Sequence, residues 1–128
     1  MKTILVADDD EQIVAGLTHR LRANGYRVLA ASDGLQALEL ALAKKPDLLL
    51  LDVWMPAGLG LSVAQRLEQL GRDIPVVFMT ASRLPWLRDA ADQAGGAAYI
   101  EKPYVPEILL RTIRDALDLN NATLVNNT

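Results

Sequence analysis

At 128 residues, with 51% hydrophobic and 23% charged side chains, the chain suits one domain able to bury a sizeable core. The absence of cysteine excludes disulfides, thiolate metal sites and cysteine nucleophiles, and the single histidine, His19, excludes a poly-histidine metal cluster. Lys and Arg total 13 against 16 Asp and Glu, so a net charge of -3 offers no basic field for nucleic acid.

In chain order, Ile4-Leu5-Val6-Ala7 is a short apolar run that stops at Asp8-Asp9-Asp10. Val14, Leu17 and Leu21 then recur at helical spacing, with Gly25 where a C-terminal cap belongs. Val28 to Ala31 is a second apolar run, ending at Ser32-Asp33-Gly34, and Leu35, Leu38 and Leu42 form the next helical stripe before Lys44-Lys45-Pro46. Leu48 to Leu51 stops at Asp52. Leucine is not a favoured strand former, but the shortness of this run and the flanking Pro46 and Pro56 argue for a strand. Val63, Leu67 and Leu70 mark a third helix before Gly71, and Val76 to Met79 a fourth strand ending at Thr80. Pro85 to Ala94 carries the weakest apolar face of any predicted helix. Ala97 to Ile100 is the fifth strand, ending before Glu101-Lys102-Pro103, and Pro106 opens a last helix with Ile108, Leu109, Ile113 and Leu117 on its face. Residues 1–119 are expected to form the domain, and the polar residues 120–128 a disordered tail.

Short, continuously apolar runs bounded by turn residues suit strands covered on both faces. Strict alternation of strand and helix predicts an α/β fold: a five-stranded parallel sheet with helices on both faces and right-handed crossovers. In such sheets ligands bind beyond the carboxyl ends of the strands, where strand order reverses. The apolar runs are too short to span a bilayer, and Met1-Lys2-Thr3 leads straight into the first strand, so neither a membrane span nor a signal peptide is expected, and the expected location is cytoplasmic.

The chemistry-bearing residues stand at those strand ends. Strand one ends in Asp8-Asp9-Asp10, strand three in Asp52, strand four in Thr80 and strand five in Lys102. With the common order 2-1-3-4-5, strands one and three are neighbours, so Asp8, Asp9 and Asp52 converge. Carboxylates crowded without histidine or cysteine call for a hard cation, and Mg²⁺ fits a few carboxylates best. The plainer alternative is that Asp8 to Asp10 only cap the first helix. A cation with a lysine ammonium suits a phosphoryl group, for which Asp52 is a candidate nucleophile.

Taken together, Ile4 to Asp9, Leu51-Asp52-Val53-Trp54-Met55-Pro56 with Gly60, Thr80-Ala81 and Lys102-Pro103 resemble the receiver domain of bacterial two-component response regulators over about residues 3–119. The resemblance implies the flavodoxin-like receiver fold and phosphorylation of Asp52 by a sensor histidine kinase or phosphotransfer protein. It implies Mg²⁺ on Asp9, Asp52 and the Trp54 backbone carbonyl, with Asp8 acting through water. Thr80 and Lys102 would contact the phosphoryl oxygens, Thr80 and Tyr99 would form the switch, and Lys102-Pro103 would be cis. Such a chain assists its own phosphorylation and dephosphorylation but is not otherwise an enzyme. It would act on an output partner or domain, with no direct contact to nucleic acid or membrane.

Several residues depart from the family pattern. Leu59 replaces a frequent acidic residue, Ala57-Gly58 makes the loop small, Val105 is a poor helix cap, and Leu84-Pro85-Trp86 replaces a more polar stretch. Trp86 is either a partner anchor or packed on its own helix, Trp54 borders the acceptor, and His19 lies off the apolar face. Among rivals, a haloacid-dehalogenase-type phosphohydrolase needs an acid where Trp54 stands, and a flavodoxin-like carrier needs Gly, Ser or Thr after strand one. A phosphorylation-independent receiver-like module is disfavoured by the complete residue set. The output and cognate kinase are not legible.

Overall fold

Every one of the five apolar runs is a strand in the computed structural model, which describes the backbone of residues 1–126 and the side chains of residues 1–118. The elements are β1 (Thr3–Ala7), α1 (Glu11–Ala23), β2 (Arg27–Ala31), α2 (Gly34–Lys44), β3 (Leu48–Asp52), α3 (Gly60–Gln69), β4 (Val76–Thr80), α4 (Leu87–Gln93), β5 (Ala98–Glu101) and α5 (Pro106–Asn126). All pairings are parallel and the order is β2-β1-β3-β4-β5, as predicted. Where a disordered polar tail is expected at 120–128, the backbone of α5 continues through Asn126, and residues 127–128 lie outside the described residues.

Strand alternation sorts the core into two layers. Leu49, Leu51 and Phe78 point to one face, where they meet Ala37 and Ala41 of α2, Val63 and Leu67 of α3, and Leu87 and Ala91 of α4. Leu48, Leu50, Val77 and Met79 point to the other, against Leu17 and Leu21 of α1 and Leu109 and Ile113 of α5. β3 and β4 are buried along their whole length. That is why an all-leucine run holds a strand here: burial on both faces overrides leucine's modest strand preference.

Two helical faces differ from expectation. In α2 the buried stripe is Gly34, Ala37 and Ala41, while Leu35 is 56% exposed and Leu38 and Leu42 only half-buried. Small residues let this helix approach the sheet and the neighbouring loop, and the leucines flank the contact. In α5, Ala116 joins Leu109, Ile113 and Leu117 inside, whereas Ile108 lies outside. The weak α4 is indeed the shortest helix, with no side-chain cap at Trp86.

Candidate functional site

Register levels the strand ends: Ala7 pairs with Leu51, and Asp52 with Met79, the residue before Thr80. Asp8 and Asp52 therefore emerge side by side, and one carboxylate oxygen each of Asp8, Asp9 and Asp52 lies within 4.8 Å of the others. Asp8 and Asp52 are buried and Asp9 is exposed.

The three consecutive aspartates divide their work. Asp10 is the N-cap of α1, its Oδ1 accepting from the Gln12 N–H at 2.9 Å and the Ile13 N–H at 3.3 Å. The capping explanation thus holds for Asp10. Asp8 instead accepts from the Asp10 N–H at 2.9 Å through Oδ1 and from Lys102 Nζ through Oδ2. Lys102 Nζ also reaches Asp52 Oδ2 at 3.3 Å, and Asp52 Oδ1 accepts the Trp54 N–H at 3.1 Å. The direct Asp8–Lys102 ion pair is a feature that sequence reasoning missed, since it placed Lys102 only toward a phosphoryl group.

β5 is tied to β4 at this end by the Lys102 N–H donating to the Thr80 carbonyl at 2.8 Å, and the Lys102–Pro103 bond is cis. Thr80 is fully buried, its Oγ1 accepting the Ser82 N–H at 3.0 Å. Among the described residues no buried side-chain polar atom lacks a partner.

Burial raises the Asp52 carboxyl above its ordinary range, with the Asp8 charge adding to it, and the Trp54 N–H and Lys102 only partly offset this. For Lys102, burial pulls downward, but the hydrogen bond to Asp8 and the charges of Asp52 and Asp8 outweigh it, so the ammonium is held above its ordinary value. One ammonium, paired with Asp8 and Asp52, thus stands beside a cluster of three carboxylates. The donor set is oxygen only, it carries an excess of negative charge, and it fits a hard divalent ion such as Mg²⁺.

The remaining predicted positions stand around this centre. Trp54, 39% exposed, makes an edge-to-face contact with Trp86, ring centroids 6.4 Å apart, so the loop between β3 and α3 touches the start of α4. Trp86 is an exposed partner of Trp54, a contact that sequence reasoning did not foresee. Tyr99 is not in the acidic cluster. It is half-buried against the α2–α3–α4 layer with the Arg88 guanidinium 5.6 Å above its ring, and burial, then Glu101, raises its phenol. His19 is exposed, as expected.

Residues 4–114 match the family described as the response regulator receiver domain. The chain is 41% identical over 114 residues to response regulator MprA of Mycobacterium leprae (strain TN), an alignment covering 89% of this chain and 50% of the relative. The same protein of Mycobacterium avium (strain 104) is 40% identical over 89% of this chain and 50% of its own length. The chain therefore spans about half the length of these curated relatives. Among solved structures, a CheY-like receiver domain protein of Methanospirillum hungatei JF-1 superposes with a TM-score of 0.91 at 27% identity, covering 96% of this chain and 98% of that one. The receiver domain of Francisella response regulator 1452 gives 0.88 at 25% identity, covering 94% and 99%.

Proposed function

Because the chain belongs to the response regulator receiver domain family, we propose that it is a phosphoacceptor whose Asp52 takes a phosphoryl group from a sensor histidine kinase or phosphotransfer protein. The observation that carries this reading is the convergence of Asp8, Asp9, Asp52 and Lys102 at the carboxyl ends of β1, β3 and β5.

An Asp52 carboxylate oxygen forms the new P–O bond as the donor's P–N bond breaks and the imidazole leaves. Asp9, Asp52 and the Trp54 carbonyl would hold Mg²⁺, with Asp8 supporting it. The ion supplies positive charge against the phosphoryl oxygens. Lys102, already placed between Asp8 and Asp52, contributes a second positive group, which transfers its hydrogen bonds from carboxylate to phosphoryl oxygen. Thr80 offers its hydroxyl hydrogen, since its contact with the Ser82 N–H uses only a lone pair of Oγ1, and with Tyr99 it carries the change to α4 and β5. The chain assists its own phosphorylation and dephosphorylation and turns over no other substrate. It acts in the cytoplasm on an output partner or domain, without itself contacting nucleic acid or membrane.

Phosphotransfer from autophosphorylated histidine kinases tests this directly. With Mg²⁺ present, label leaves the histidine of a cognate kinase and appears on this chain, and Asp52→Asn or chelation abolishes the transfer. Undiminished transfer to Asp52→Asn contradicts the reading.

A further inference from the structure

The loop between β3 and α3, residues 53–59, is clamped at two places. At its base the Gly60 N–H donates to the Val53 carbonyl at 2.9 Å, and a Cβ on Gly60 would strike the backbone carbonyl of Asp52 itself. At its tip the loop rests on a different element. The first N–H of α2, at Gly34, donates to the Pro56 carbonyl at 3.1 Å, so a helix-start donor without an intrahelical partner is used to grip the loop.

The fit at the tip leaves no space. A Cβ on Gly34 would strike the Gly58 carbonyl oxygen and lie 2.7 Å from the Gly58 carbonyl carbon and 2.9 Å from the Ala57 oxygen. All three are backbone atoms, so the clash is relieved only when the loop and the start of α2 move apart. The loop is also held in a narrow conformation, with Ala57 at φ 53° and Gly58 at φ 118°. Between base and tip lies Trp54, whose N–H binds Asp52 Oδ1 at 3.1 Å. Gly34 needs no left-handed conformation, since its φ lies outside that region, and at the first position of a helix alanine would otherwise be favoured.

We propose that Gly34 is a positioning residue for the acceptor loop: by lacking a side chain it lets residues 56–58 seat on the start of α2, which fixes the Trp54 backbone beside Asp52. The inference rests on the phosphoacceptor reading and deepens it. It places a determinant of the site on α2, the element opposite the loop, at a residue that touches none of the acidic side chains. An outer partner that orients a ligand group commonly controls metal affinity by 10-fold or more.

The test uses Trp86→Phe protein, in which Trp54 is the sole tryptophan and is excited selectively, titrated with Mg²⁺ alone and then labelled with acetyl phosphate. Gly34→Ala should unfold cooperatively, bind Mg²⁺ about 10-fold more weakly, and label slowly at low Mg²⁺, with saturating Mg²⁺ restoring the rate. Gly16→Ala on α1, where an added Cβ meets nothing within 4 Å, should change neither property. Should Gly34→Ala fail to fold, Gly58→Ala disturbs the same loop tip through its backbone, because φ 118° is strained for alanine while the added Cβ meets Gly34 only at an ordinary 3.7 Å, and it should show the same weakened Mg²⁺ binding. A folded variant at this seat with unchanged Mg²⁺ affinity and labelling overturns the inference. A parent protein that takes no phosphoryl group overturns the acceptor reading itself, which separates the two failures.

Discussion

Asp52 is held where its ionised form costs stability. Its carboxylate is nearly removed from water, and its neighbours include the Asp8 charge, so the folded chain binds a proton at Asp52 more tightly than the unfolded chain does. A raised folded pKa gives stability that is fully present below the ordinary aspartate range and lost as pH rises through the raised value. At neutral pH the ionised Asp52 therefore costs stability. Asp52→Asn should melt at a higher temperature than the parent at pH 7, and the gap should narrow as pH falls toward the ordinary aspartate range. A variant less stable than the parent at pH 7 would show instead that the Lys102 pairing outweighs burial. Lys102 has the same sign at the other end of the scale: its contribution is complete below the ordinary lysine pKa and lost as pH rises through the raised one.

At the scale of elements, α4 is the least secured piece around the site. Its seven residues are too few to be stable by helical propensity, its start has no side-chain cap, and only Leu87 and Ala91 anchor it in the core. It is steadied by contacts that cross to other elements: Trp86 on Trp54, of a kind worth about 0.5–1.5 kcal/mol beyond burial, and Arg88 over Tyr99. The exposed Arg83–Glu101 pair, at 3.6 Å, adds little. Under the proposed phosphoacceptor reading, a new anion beside Thr80 would bias such a segment. On binding beryllofluoride with Mg²⁺, hydrogen exchange should change most between Ser82 and Tyr104, and Thr80→Ala should still bind the mimic while losing that change. Exchange altered only around Asp8 to Asp10 and Asp52 would mean that the site is filled without consequence for α4.

Over the whole molecule, what was legible depended on whether a pattern had one physical meaning. The shortness of the apolar runs ending at Ala7, Ala31, Leu51, Met79 and Ile100 argued for strands, strict alternation gave the parallel sheet, and the common doubly wound arrangement gave its order. The strand-end rule then pointed to Asp8, Asp52, Thr80 and Lys102 before any geometry was known. The α2 face was not legible, because a leucine stripe and a glycine–alanine stripe both fit helical spacing, and which one faces inward depends on how closely the loop at Ala57-Gly58 approaches. The division of Asp8, Asp9 and Asp10 into ion-pair partner, exposed carboxylate and helix cap was equally hidden, since all three share one charge and one strand end.

Three carboxylates and one lysine gather at one end of the sheet, and the proposed function requires that only one of those carboxylates, Asp52, is the acceptor. Acetyl phosphate with Mg²⁺, followed by peptide mass spectrometry under acidic conditions, measures this without any kinase. A single base-labile phosphoryl group should appear on the peptide containing Asp52 and be absent from Asp52→Asn. A phosphoryl group located on Asp8, Asp9, His19 or a serine, with Asp52 unmodified, would contradict it.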